Sequence, residues 1–200
     1  MNAQERLIES TQELLWERGY VATSPKAIQR RAGVGQGSMY HHFEGKPELA
    51  VAAVRRSADE LRTDVGAILD GPGGALERIG AYLVRERDVL RGCRIGGLTQ
   101  DPEIIANQEL RQPLEDTFTW LRTRLRDLIA EGQEGGELRQ SVAPEQLASM
   151  ICAVVQGGYV LARAGQSPEP FREAVAGARG LLTMISRPAR ADARQEEARG

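Results

Sequence analysis

Residues 23–46 read TSPKAIQRRAGVGQGSMYHHFEGK, and the placement of proline and glycine in this stretch decides the fold. Pro25 suits the first position of a helix, where its missing N–H is unpaired in any case. Thr23 or Ser24 supplies a hydroxyl to cap that helix. Gly33 ends it in the left-handed conformation, which a residue with a Cβ reaches only at a cost. The spacing predicts one helix over Pro25–Ala32 and a second over residues 36–43, with Val34 as a buried hinge between them. Two short helices across a tight glycine turn form a helix-turn-helix, whose second helix enters the major groove of DNA.

Charge supports this reading locally and not globally. The 200 residues carry a net charge of only −2. Within residues 23–46, however, Lys26, Arg30, Arg31 and Lys46 face Glu44 alone, with His41 and His42 beside them. A local basic patch is what contact with phosphates requires. If Met39 and Phe43 point inward, Gln36, Ser38, Tyr40 and His41 point outward. Gln36 and Ser38 are of a length to read base edges. Tyr40 and His41 suit phosphates or thymine methyls, and the alternative for all four is an exposed polar helix face. Thr23, Ser24 and Lys46 would fix the protein on phosphate oxygens, or serve only as caps and a solvated lysine. Adjacent histidines on a helix project roughly 100° apart, so His41 and His42 do not read as a shared metal site.

The segment AIQRRAGVGQGSMYHHFEGKPEL resembles the DNA-binding signature of the tetracycline-repressor (TetR) family. Ile28, Ala32, Gly33, Val34, Gly37, Tyr40, His42, Phe43, Lys46 and Leu49 fall on the family pattern. ERLIESTQELLWERGY resembles the family's first helix. The close resemblance covers the first fifty residues or so; beyond it only the general layout is similar. It implies an all-α chain with an N-terminal three-helix helix-turn-helix domain and a C-terminal helical domain for ligand binding and dimerisation. It also implies DNA contact through Thr23, Ser24, Gln36, Gly37, Ser38, Tyr40, His41, His42 and Lys46. Two departures stand out. Gly35 occupies the cap where the family usually carries Ser or Thr, and Gln36 stands where Lys or Arg is frequent. Arg30 and Arg31 are unusually basic for their positions and are candidates to compensate.

Outside this element the apolar residues recur at helical spacing. Helix one is expected over Ala3–Arg18, closed by Gly19, with Leu7 and Leu14 on its inner stripe. Residues 47–70 predict a long helix joining a domain at 1–46 to one at 47–186, and GPGG breaks it. In the family this helix transmits the ligand signal. Residues 75–91 predict a further helix, Asp101–Pro102–Glu103 reads as a helix start, and Pro113 reads as a kink or restart. Residues 143–164 are apolar nearly all round, as a helix buried on all sides would be. Residues 168–185 repeat the theme, with Gly177 and Gly180 permitting close approach. The pair predicts a dimer interface, a four-helix bundle from two subunits through Val154, Val155, Gly158, Leu161, Phe171, Ala174, Ala178 and Leu181. Residues 187–200 are polar and read as a disordered tail.

The family layout puts Tyr82, Phe118, Trp120, Met150 and Tyr159 around an interior pocket, where aromatics with polar tips suit a mostly apolar ligand. Ordinary core packing is the alternative for each. Cys93 lies in RGCRIGG between Arg91 and Arg94 and is a further pocket candidate; nearby cations can raise thiol reactivity. Cys152 reads as packing. Two cysteines make no disulfide framework or metal cluster, so neither metal nor cofactor is expected. The first ten residues lack a signal-peptide core, and no apolar run is expected to span a membrane, so a cytoplasmic protein is the expectation. No nucleophile–base pair, phosphate loop or paired carboxylates argue for an enzyme. The expected function is a homodimeric repressor of a palindromic operator, released by an unidentified small molecule. The alternative is a DNA-binding regulator without such a ligand, controlled by a protein partner or by oxidation or alkylation of Cys93.

Overall fold

A computed structural model describes residues 2–187; the tail expected over 187–200 lies, apart from Arg187, outside the described residues. Nine α-helices and one 3₁₀ turn make up the described chain, with no strand beyond an isolated bridge between Leu138 and Ser186. α1 (Ala3–Arg18) begins in a capping box in which Asn2 and Glu5 satisfy each other's backbone N–H groups. α2 (Pro25–Ala32) is capped by Ser24 and closed by Gly33 in the left-handed region. α3 (Gln36–His42) is only seven residues long, too short to persist alone, and fully buried Met39 holds it, with Phe43 buried just beyond its end. Burying one such side chain contributes about 1.5–3 kcal/mol.

α4 (Lys46–Leu69) runs 24 residues and belongs to two cores. Leu49, Ala50, Ala53, Val54 and Ala58 pack with α1–α3, while Val65 and Leu69 pack with the C-terminal helices. Leu61 touches both. The first core does not stop with the N-terminal helices. It also takes in Ile95 and Leu98 from the segment around the 3₁₀ turn (Gly96–Gln100), Ile104 from α6 (Pro102–Ala106), and Leu110 and Leu114 from α7 (Gln108–Glu134).

Two boundaries differ from expectation. α5 is Ala75–Val84, and the helix predicted to residue 91 stops seven residues early. The Arg87 guanidinium donates to the carbonyls of Tyr82, Leu83 and Arg85, so a folded-back side chain satisfies the open helix end. Pro113, read as a kink or restart, lies buried inside α7, and the helix starts instead after Asn107, whose side chain caps Glu109 and Leu110.

α8 (Pro144–Gly165) and α9 (Glu169–Met184) complete the second core. By length and composition α8 is apolar enough to cross a membrane, contrary to the expectation that no segment would be. Its apolar residues split between two environments. Leu147, Ile151, Val155, Tyr159 and Ala162 are buried inside the protomer, whereas Val160 and Leu161 are exposed. The same split corrects the predicted interface. Val155, Gly158, Phe171 and Ala178 belong to the protomer's own core; a Cβ on Gly158 would meet Phe171 Cδ2 at 2.9 Å. Leu161 and Leu181 are exposed, and Val154 and Ala174 are half-buried.

Candidate nucleic-acid interface

The N-terminal core sets which side of α3 faces out. With Met39 and Phe43 buried, Gln36, Gly37, Tyr40 and His41 are exposed and Ser38 and His42 half-buried. Tyr40 is 49% exposed, high for a large aromatic with no partner to cover it. Gly35, which caps α3, makes no side-chain capping bond. The His41 and His42 rings stand edge to face with centroids 5.0 Å apart, and the described residues hold no cluster of metal-ligating groups.

Four of the candidate phosphate groups make contacts within the protein. Thr23 is buried and its hydroxyl is spent internally: it donates to Gly19 O at 2.7 Å and Leu14 O at 3.3 Å. It locks the turn after α1 and has no hydroxyl to offer a phosphate, a correction to the sequence reading. Ser24, one residue on, is the exposed cap of α2. Arg31 is tied to Glu17 of α1 at 2.7 Å, which reduces its part as a substitute cation, while Arg30 is exposed. Lys46 Nζ sits 3.7 Å above the centre of the Tyr20 ring. That contact fixes a flexible ammonium beside the turn that precedes α2.

The second feature is a pair of cavities that share lining residues. A cleft of about 870 Å³ opens between α1, α4 and the segment after α5. Behind it lies a chamber of about 20 Å³, walled by Leu61 and Val65 of α4 and by α5, α7 and α8. Cleft and chamber share Leu61, Arg85, Cys93 and Tyr159. Tyr82, Cys93, Phe118, Trp120 and Tyr159 all line the chamber, five of the six residues that the sequence had singled out. Met150 does not; it is half-buried against the second core. Five positions before Val155 on the same helix, it points roughly 140° away. Burial pushes the Tyr159 hydroxyl up to about 12, opposed by Arg87 and Arg85, and lifts Tyr82 further still. Both phenols are therefore neutral hydrogen-bonding groups at physiological pH.

The segment after α5 also grips the N-terminal domain, through residues the sequence reading did not connect. Arg91 and Arg94 both bond to Glu13 of α1, at 2.9 and 2.8 Å. Their guanidinium groups lie 3.4 and 4.2 Å from the Trp16 ring centre, and Trp16 Nε1 donates to Gly92 O. Burial pushes the Glu13 carboxyl up, but the bond from Arg91 and the charges of Arg94, Arg91 and Arg31 outweigh it and hold it below the ordinary glutamate value. The two arginines flanking Cys93 are thus engaged with α1, Arg94 also pairing with Glu60 of α4 at 3.9 Å, and the hydrogen bond to the Cys93 sulfur comes from the Gly96 N–H at 3.2 Å.

The helix-turn-helix residues and the C-terminal bundle match known families separately. Residues 7–53 match the model for bacterial regulatory proteins of the tetR family, and residues 75–178 match the tetracyclin repressor-like C-terminal domain. The chain belongs to the TetR family. As a TetR-family member it is a DNA-binding transcriptional regulator. The HTH-type transcriptional repressor DhaR of Mycobacterium sp. (strain GP1) is 26% identical over 171 residues, 84% of this chain and 85% of DhaR. A TetR transcriptional regulator from Chloroflexus aurantiacus J-10-FL superposes with a TM-score of 0.84 at 28% identity, over 94% of this chain and 97% of that one. A cysteine-substituted CifR solved with 26-bp double-strand operator DNA shares the TetR fold, with a TM-score of 0.75 at 22% identity over 89% and 95% of the two chains.

Proposed function

We propose that the protein is a homodimeric cytoplasmic repressor that binds a palindromic operator through α3 and is released when a small, mostly apolar molecule enters the chamber. The observation that carries this is α4: one helix bears Leu49 and Ala53 in the core beneath α3 and Leu61 and Val65 in the chamber wall. The chamber has room for roughly one water, so an organic ligand must widen it. Widening displaces α4 and with it the seat of α3. A ligand that binds the widened state tenfold better weakens operator binding by up to about 1.4 kcal/mol per site. The clamp of Arg91 and Arg94 on Glu13 and Trp16 is a second link between the same two domains.

A dimer is needed because one short helix reads few base pairs. Two recognition helices roughly 34–36 Å apart read one palindrome. Val160, Leu161, Leu181 and Met184 are between 55% and 73% exposed on α8 and α9, the exposed apolar surface that a second copy would cover. Gly157, Gly177 and Gly180 have open space beside their α-carbons, which permits close helix approach.

A second reading has Cys93 as the trigger, alkylated or oxidised from the cleft. It is favoured by the position of Cys93, which lines both cleft and chamber on the segment that grips α1. No catalytic role is proposed.

The test is selection of genomic fragments by the purified protein at two salt concentrations, followed by sequencing. One short enriched palindrome, weakened by Tyr40→Ala, supports the reading. Binding without sequence preference at either salt contradicts it.

A further inference from the structure

We infer that the chamber selects a small organic acid, whose carboxylate pairs with Arg85 while its apolar or aromatic body lies against Phe118 and Trp120. The inference deepens the effector reading above and rests on it.

The charge balance differs between cleft and chamber. The outer cleft is neutral by count, with five arginines (Arg55, Arg56, Arg85, Arg87, Arg94) against five carboxylates (Asp59, Glu60, Asp64, Glu86, Asp88). The chamber is not. Arg85 is the one charged residue in its lining, among neutral and aromatic side chains.

Hydrogen bonding also sets Arg85 apart. Among the described residues, four arginines have a buried Nε without an acceptor: Arg62, Arg78, Arg85 and Arg87. Three of them bond through their terminal nitrogens. Arg62 pairs with Asp59, Arg78 bonds Leu69 O and Glu131, and Arg87 bonds three carbonyls at the end of α5. The Arg85 side chain makes no hydrogen bond and pairs with no carboxylate among the described residues. A half-buried guanidinium with open donors is costly to keep, and a planar carboxylate fits its fork.

The shape of the site adds the body of the ligand. Arg85 stands at the first position past α5, shared by cleft and chamber, so a carboxylate on it leaves the rest of the molecule directed at the aromatic wall. An uncharged ligand would leave the guanidinium unpaired and farther from water than before.

The experiment is calorimetric titration of the full-length protein with matched pairs: benzoate and benzamide, cinnamate and cinnamamide, hexanoate and hexanamide. The acid of at least one pair is expected to bind roughly tenfold tighter than its amide, about 1.4 kcal/mol. Arg85→Gln should bring the two within about twofold, and an unchanged helical circular-dichroism spectrum and thermal midpoint certify the fold of the variant. Arg85→Lys should retain most of the preference. Equal binding of acid and amide, or a preference that survives Arg85→Gln, overturns the carboxylate assignment and leaves the effector pocket standing. If no member of any pair binds, both the assignment and the pocket reading are overturned.

Discussion

The Asp101 carboxylate accepts the backbone N–H of Tyr20 at 2.7 Å, joining the N-cap of α6 to the turn that follows α1. The same oxygen accepts Val21 N–H at 2.9 Å, and the other accepts from Glu103 and Ile104 at the start of α6. A single buried side chain thus caps α6 and orders the turn that follows α1. Asp101→Ala is expected to cost roughly 2–4 kcal/mol, a cap plus two stranded N–H groups. Urea unfolding at neutral pH measures it. Asp101→Asn, which can still cap, should cost less. A change below about 0.5 kcal/mol for the alanine variant would mean that water replaces the carboxylate without loss.

Lys46 and Thr23, which the sequence grouped together, are expected to differ. Lys46→Ala should weaken operator binding across sequences and lower the salt slope by about 1, as loss of one phosphate contact does. Thr23→Ala should leave that slope unchanged and lower stability by about 1–2 kcal/mol, because its hydroxyl bonds Gly19 and Leu14 carbonyls. Anisotropy titrations on labelled operator at several salt concentrations read the first, and thermal unfolding the second. A reduced slope in Thr23→Ala would reopen the phosphate role.

Leu181 and Val160 test assembly, being exposed at 57% and 63%. Leu181→Arg and Val160→Arg should yield a folded species of half the wild-type sedimenting mass, with operator affinity lowered by at least about tenfold through loss of the paired half-site. Wild type sedimenting as a monomer, or both variants remaining dimeric, would place the interface elsewhere.

The two cysteines should differ in reactivity. Burial pushes the Cys152 thiol up to about 11, so at pH 7–8 it is protonated and shielded. Cys93 lines the open cleft. One thiol per chain should react promptly with an aromatic disulfide reagent, and Cys93→Ser should abolish that reaction. As pH rises toward 11, Cys152 should begin to titrate if the fold persists. Prompt reaction of both thiols at neutral pH would show that α8 opens readily.

The N-terminal element was legible in the sequence because local signals set it. Pro25 and Gly33 mark boundaries within a residue or so of those found, and the alternation of Met39 and Phe43 with polar residues set the outward side of α3. What escaped depends on contacts distant in sequence. Asp101 read as a helix start, but its bond to Tyr20 spans 81 positions. Arg87 curled back to close α5, a rotamer that no periodicity encodes. On α8 two apolar faces were visible and the sequence could not say which one the protomer keeps, so Val155 and Gly158 were placed outside with Leu161. Arg85 carried no sequence signal at all. Its interest lies in what it fails to bond.

Two copies of α3 are expected to read a symmetric site. A hydroxyl-radical footprint of the purified protein on its enriched fragment tests it most directly. The expected result is two protected segments related by a dyad, centred roughly 10–10.5 bp or a multiple apart, both lost together in Tyr40→Ala. A single unpaired segment, or a footprint untouched by Tyr40→Ala, would contradict it.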